Sequence, residues 1–241
     1  FNQNISFAGN TSFQYLQLDP LKVGNTSITN SENITQKWLD NDYYVVTLGL
    51  NYQTDDTALN FGGLYSKYVG DHFGNLIWGQ KIGDTSPNHK FYENQGVKTE
   101  GSLFAKLSHT FSDKFTSFLD LQVRSINYVV NGIIAGPNSF SVDDNFLFFN
   151  PKAGLTYKVN PKGNLYFSYS KAQREPNRTD YENGTPKPEK LDDFELGWRF
   201  KTSMLQAQTN VYWMEYKDQL VLTGAIDEVG APIRQNVGKS R

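Results

Sequence analysis

The sequence has 241 residues, which allows one large domain or two small ones. Its 23 Lys and Arg residues and 25 Asp and Glu residues leave a net charge of −2, so a basic nucleic-acid footprint is excluded. Cysteine is absent, which excludes disulfides, zinc–thiolate sites and thiol nucleophiles. No apolar run approaches the roughly 18 residues of a transmembrane helix. The first ten residues lack the basic and apolar regions of a signal peptide.

Apolar and polar residues alternate along much of the chain. Aromatic residues make up 15% of the sequence, and the mean hydropathy is −0.56. Strict alternation is typical of strands that have one apolar and one polar face, and we find no helical stripe. Eight such runs are clear, and with weaker ones we expect about ten strands. The eight runs are, in chain order, 44–52, 59–66, 102–108, 115–124, 153–159, 165–170, 194–201 and 205–213.

The connections between these runs are of two kinds. Short turns are predicted at 53–56, 112–114, 160–163 and 202–203. Long polar loops are predicted at 67–98, 127–145, 171–190 and 218–235. Several long loops without structure would be unusual in a compact soluble domain. In an outer-membrane β-barrel, however, short periplasmic turns and long extracellular loops are expected. The pattern therefore predicts an all-β fold, an antiparallel segment of a transmembrane β-barrel.

The two faces of the predicted strands differ in charge. The apolar face of the eight runs carries no charged residue, as a lipid-facing surface requires. The opposite face carries Asp120, Arg124, Glu195 and Arg199, which suits a polar lumen. One alternative is a soluble, carbohydrate-binding β-sandwich, whose apolar faces would pack on each other. Another is a hydrolase using Asp120 and Glu195 as acid and base. The alternating loop lengths favour the barrel.

Several motifs in the C-terminal half resemble a known family. They include Asn-Leu-Tyr-Phe-Ser-Tyr-Ser (164–170), Arg-Glu-Pro-Asn-Arg (174–178), Lys-Pro-Glu (187–189), Glu-Leu-Gly-Trp-Arg (195–199) and Tyr-Lys-Asp-Gln-Leu-Val-Leu-Thr-Gly (216–224). Two upstream strings, at 36–42 and 70–74, belong to the same pattern. Together they resemble the C-terminal barrel region of TonB-dependent outer-membrane receptors, those of Bacteroidetes in particular.

The resemblance implies a barrel of about 22 strands in the bacterial outer membrane. Such receptors enclose an N-terminal plug domain and import a scarce nutrient, such as a ferric siderophore, haem or cobalamin. The implied partners are the plug domain, the TonB complex acting through it, the lipid bilayer, the nutrient and a surface lipoprotein, with no nucleic acid. We recognise no plug, no TonB-contacting segment and no final aromatic strand. We therefore expect residues 1–241 to be part of the barrel, without cofactor or enzymatic activity.

Two groups of residues are candidates for contact with the ligand or the plug. His72 and His89 fall in one predicted loop, and imidazole suits iron, but their spacing matches no metal motif, so no metal site is predicted. Arg174, Glu175 and Arg178 follow a strand end. The arginines could bind an anionic ligand through their guanidinium forks, or the three residues could tie the loop to the barrel wall or the plug. We favour the second role.

Overall fold

A computed structural model describes residues 21–23, 26–28, 33–79, 88–135, 138–226 and 232–241. Two short strands, β1 (Leu21–Val23) and β2 (Thr26–Ile28), pair antiparallel. The residues on which the signal-peptide prediction rests lie outside the described ranges. Among the described residues, no helix is both long and apolar enough to cross a membrane.

Nine strands form one sheet in which each strand pairs with its neighbours in the sequence, from β3 at one end of the order to β11 at the other. This up-and-down order confirms the predicted all-β, antiparallel fold. The strands are β3 (Asn33–Gln53), β4 (Thr57–Gly79), β5 (Lys90–Ser112), β6 (Phe115–Ala135), β7 (Asn138–Asn160), β8 (Gly163–Arg174), β9 (Glu189–Lys201), β10 (Gln206–Ile226) and β11 (Pro232–Ser240).

The chain divides into two compact units. The first, which we call the ribbon unit, comprises the described residues within Phe1–Val45, Ser66–Thr99 and Asn127–Asn145. The second, the wall unit, comprises the described residues within Val46–Tyr65, Glu100–Ile126 and Phe146–Arg241. Each of the strands β3 to β7 contributes a stretch to both units. The eight alternating runs of the sequence fall almost wholly in the wall unit.

The apolar face of the wall unit is exposed. Leu48, Leu103 and Val211 are 69%, 70% and 69% exposed, and Leu196 at the middle of β9 is 55% exposed. A β-sandwich would bury these side chains between two sheets, so the soluble sandwich alternative is wrong. Apolar side chains exposed in this number form a patch of the kind that contacts lipid or another apolar partner, because large apolar patches are rare on soluble monomers.

Apolar residues of the opposite face are the ones that are buried. Tyr166 on β8 lies against Gly197 on β9, its partner in the register. A Cβ atom at Gly197 would fall 2.3 Å from the Tyr166 ring, so only glycine fits there. The Arg199 guanidinium stacks on the same ring, 4.1 Å from its centroid. A glycine that seats an aromatic ring on the next strand fixes the register of β8 and β9.

The predicted long loops are wrong in their extent. Most of 67–98 belongs to β4 and β5, most of 127–145 to β6 and β7, and most of 218–235 to β10 and β11. The strands therefore continue far beyond the 9–11 residues or so that cross a bilayer. Residues 80–87, 136–137 and 227–231, parts of three predicted loops, lie outside the described ranges. The connection between β8 and β9 is the predicted long loop that the structure describes in full.

Candidate functional site

The β8–β9 connection, residues 175–188, folds instead of extending the two strands. Three prolines interrupt it, and proline has no N–H group for a strand ladder. Between them lies a one-turn helix, α1 (Arg178–Glu182). Asn177 caps this helix: its side chain accepts a hydrogen bond from the Asp180 N–H at 3.0 Å, and Asp180 accepts one from the Asn177 N–H at 2.8 Å. This reciprocal capping box satisfies backbone donors that a short helix leaves free.

Asp180 also anchors the connection to β11. Its side chain is 1% exposed, and both of its oxygens accept hydrogen bonds from Arg234, at 2.9 Å from Nε and 2.8 Å from Nη2. A fork-shaped pair of this kind combines charge attraction with fixed geometry. This pair could not be predicted from the sequence, because 54 residues separate its two members.

A second ion-pair cluster holds the start of the connection. Arg124 on β6 donates to both carboxylate oxygens of Glu100 on β5, at 2.9 and 3.1 Å. The same guanidinium lies 3.5 Å from the carboxylate of Glu175. All three side chains are mostly buried. Glu175 is therefore tied to the wall strands β5 and β6 through Arg124.

Glu189, at the start of β9, holds the C-terminal end of the connection. Its carboxylate accepts hydrogen bonds from the Leu220 N–H on β10, at 2.6 Å, and pairs with Arg174 at 2.5 Å. Glu189 belongs to the Lys-Pro-Glu motif, to which the sequence assigned no structural role. Its contacts give one: the carboxylate joins the end of β8, the start of β9 and the middle of β10.

An amide on β11 clamps the end of the connection. The Asn236 side chain accepts a hydrogen bond from the Lys187 N–H at 2.8 Å and donates one to the Lys187 carbonyl at 3.0 Å. It also donates to the Asp218 carbonyl, at 2.6 Å. A side-chain amide here replaces the strand partner that the proline-flanked backbone lacks.

The predicted candidates thus fall into two places. Arg174 and Glu175 lie in the network just described, and Arg178 pairs within α1 with Glu182, at 2.7 Å. His72 lies within β4, not in a loop, while His89 immediately precedes β5 and is exposed. The described residues contain no group of three or more His, Cys, Asp or Glu side chains that could hold a metal ion.

This arrangement determines the chemistry open to the arginines. The guanidinium groups of Arg124, Arg174 and Arg178 each face a carboxylate of the chain. An anionic ligand would have to displace these carboxylates before it could bind both arms of a fork. Arg174, 58% exposed, is the most accessible of the three. The network therefore links the β8–β9 connection to residues of β5, β6, β10 and β11.

The sheet order, the exposed apolar face and the polar, ion-paired opposite face define a segment of an outer-membrane β-barrel. The family model "TonB dependent receptor-like, beta-barrel" matches residues 1–241. The chain therefore belongs to the TonB-dependent receptor β-barrel family, whose members are outer-membrane proteins of Gram-negative bacteria. No curated protein matches the sequence.

Solved structures share the fold at low sequence identity. The copper transporter OprC is 13% identical with a TM-score of 0.68. The ferric-catecholate import receptor Fiu of E. coli K12, in its closed form, is 13% identical with a TM-score of 0.57, and the siderophore receptor PiuA of Acinetobacter baumannii is 17% identical with a TM-score of 0.56. These matches cover 84%, 85% and 88% of this chain, respectively. The chain spans about a third of their length, with 33%, 34% and 35% covered.

Proposed function

We propose that this chain is part of the barrel wall and outer surface of a receptor that imports a scarce nutrient across the outer membrane. The exposed apolar face, which includes Leu48, Leu103 and Val211, carries the proposal. That face excludes water on the lipid side, while the polar face borders the route that the nutrient takes. The receptor acts by transport and not by catalysis.

We propose a metal chelate, first of all a ferric siderophore, as the nutrient. The names of the similar structures, which include a ferric-catecholate receptor, a siderophore receptor and a copper transporter, support this choice. Haem, cobalamin and an oligosaccharide are the other candidates. The plug domain, coupled to the TonB complex, supplies the movement that releases the nutrient, and a surface lipoprotein can assist capture.

A growth experiment tests this proposal. The gene is deleted, and the strain is grown with iron limited to one source at a time: a ferric catecholate, another ferric siderophore, or haem. A parallel culture depends on cobalamin. We expect growth to fail on one source and to return with the full-length gene on a plasmid. Unchanged growth on every source, or a full-length protein that is folded and soluble without detergent, would contradict the proposal.

For the predicted site residues, we propose that Arg174, Glu175 and Arg178 shape the outer surface by holding the β8–β9 connection. His72 and His89 remain candidates for direct contact with the ligand. Arg174→Ala should increase protease cleavage within 175–188, and Glu189→Ala should do the same, because the two side chains form one pair. If Arg174→Ala weakens ligand binding while cleavage stays unchanged, Arg174 binds the ligand directly and the structural role is wrong.

A further inference from the structure

Four lysines surround a pocket at the turn end of the wall unit. The pocket has a volume of about 280 Å³ and lies beside the β5–β6, β7–β8 and β9–β10 turns. We call Lys114, Lys158, Lys162 and Lys201 the lysine rim. Among the described residues that line the pocket, Asp113 is the one with a carboxylate.

The backbone holds these lysines in adjacent pairs. The Lys158 N–H donates to the Lys114 carbonyl at 2.8 Å, and the Lys201 N–H donates to the Lys162 carbonyl at 2.7 Å. Like charges on neighbouring strands repel each other. None of the ion pairs found in the described part of the chain includes a rim lysine. The rim is therefore an excess of positive charge that the described residues do not neutralise.

The register shows which face of the sheet carries the rim. Lys158 pairs with Asn164, Asn164 with Arg199, and Arg199 with Gln208, so this row crosses four strands. The next residues along each strand, such as Leu165 and Trp198, belong to the exposed apolar face. Because successive side chains point to opposite faces, Lys158 and Lys201 lie on the polar face, away from lipid, while Lys114 and Lys162 lie in the turns next to them. This placement favours a polypeptide over a lipid headgroup as the partner.

We propose that the lysine rim binds a carboxylate-rich polypeptide segment of the same receptor that lies outside residues 1–241. The inference rests on the proposed function, because it needs a receptor with further domains. The chain spans only 34% of the Fiu structure and 35% of the PiuA structure, so structures of this fold carry about twice as much additional chain. Lysines attract carboxylates as separate point charges without a fixed fork, which suits a surface that must release its partner when the receptor moves.

Zero-length coupling in the full-length receptor tests this proposal. A water-soluble carbodiimide joins a lysine amine to a contacting carboxylate as an amide with loss of water, and mass spectrometry identifies the two peptides. We expect rim lysines to couple to Asp or Glu residues outside residues 1–241, in outer-membrane vesicles and in detergent. The variant with all four rim lysines changed to arginine keeps the charge but should lose the coupling. Lys152→Arg is the matched control, because Lys152 lies on β7 and on the same face as Lys158, and it should leave the coupling intact.

Other outcomes would overturn the proposal. One is coupling confined to Asp113, and another is the absence of any rim coupling in a receptor that still transports its nutrient. Rim lysines that resist an amine reagent in vesicles but react after delipidation would assign the rim to lipid phosphate. If the rim lysines couple as expected but the receptor transports no nutrient, the proposed function is contradicted and the lysine-rim proposal is not. The charge-reversed variant Lys158→Glu with Lys201→Glu should lose coupling at the two remaining lysines, and unchanged coupling there would also count against the proposal.

Discussion

The wall unit and the ribbon unit use the same strands but are stabilised by different contacts. In the wall unit one face is apolar and exposed. Charged side chains elsewhere in the unit, such as Asp180 and Arg124, form buried ion pairs. In the ribbon unit Leu76 and Val130 are buried, at 2% and 0% exposed, and the cross-strand hydrogen bonds from Tyr68 to Asn41 at 2.7 Å and from Gln95 to Asp71 at 2.9 Å are exposed. The comparison shows that hydrogen bonding between strands can continue where the apolar alternation ends. Backbone hydrogen bonds do not depend on the type of side chain, whereas the environment of each face does select its side chains.

The largest effect is expected where the wall unit buries a charge. Asp180→Ala leaves Arg234 without its fork partner and also removes half of the capping box. Removing one member of a buried ion pair costs about 3–5 kcal/mol, so we expect the free energy of opening of the β8–β9 connection to fall by that amount. Hydrogen exchange of residues 175–188 in the full-length receptor measures it. The double variant Asp180→Ala with Arg234→Met removes both charges and should cost less than the single one. An equal or larger cost would contradict the pairing.

A second prediction concerns the two faces of the wall unit. Leu196→Lys places a charge on the apolar face, where a lysine near the middle of the bilayer costs about 2–4 kcal/mol. Gln208→Lys, on the polar face of the neighbouring strand, should cost much less. Unfolding of the full-length receptor in lipid vesicles by urea compares the two. Leu121→Lys and Gln122→Lys provide an independent pair on β6. Equal costs on both faces would contradict the assignment of the lipid side.

A smaller effect is expected at the cap of α1. Asn177→Ala removes the side chain that accepts from the Asp180 N–H, and loss of such a cap costs about 0.5–2 kcal/mol. Exchange of the α1 amides should become faster while the amides of β8 and β9 stay protected. Asn177→Ser, which retains a capping oxygen, is the control and should lie near the unchanged protein. Identical exchange in Asn177→Ala would show that Arg234 alone holds the helix.

The sequence predicted the wall strands and their faces because lipid on one side imposes a strict apolar period of two. It failed at 67–98 and 127–145 in the ribbon unit and at 218–235 in the wall unit, where the strands continue although the strict apolar alternation ends. The helix α1 is too short to show an apolar stripe, although Asn177 followed by Asp180 is a readable capping signature. The role of Glu189 could not be predicted, since its partner, the Leu220 N–H, is 31 residues away and carries no side-chain signal.

The smallest effect is expected in the ribbon unit, where Lys90 and Glu93 form an ion pair on β5 with side chains 48% and 60% exposed. Exposed pairs contribute about 0–1 kcal/mol, since water and salt screen the charges. In a double-mutant cycle with Lys90→Ala and Glu93→Ala, we expect a coupling energy within that range that falls further as salt is raised. Hydrogen exchange at the start of β5 measures it in the full-length receptor. A coupling energy as large as that of Asp180 with Arg234 would contradict the expectation that ion pairs stabilise the ribbon unit less than the wall unit. A small value would mean that exposed ion pairs contribute little to the stability of the ribbon unit, in contrast to the buried pair of the wall unit.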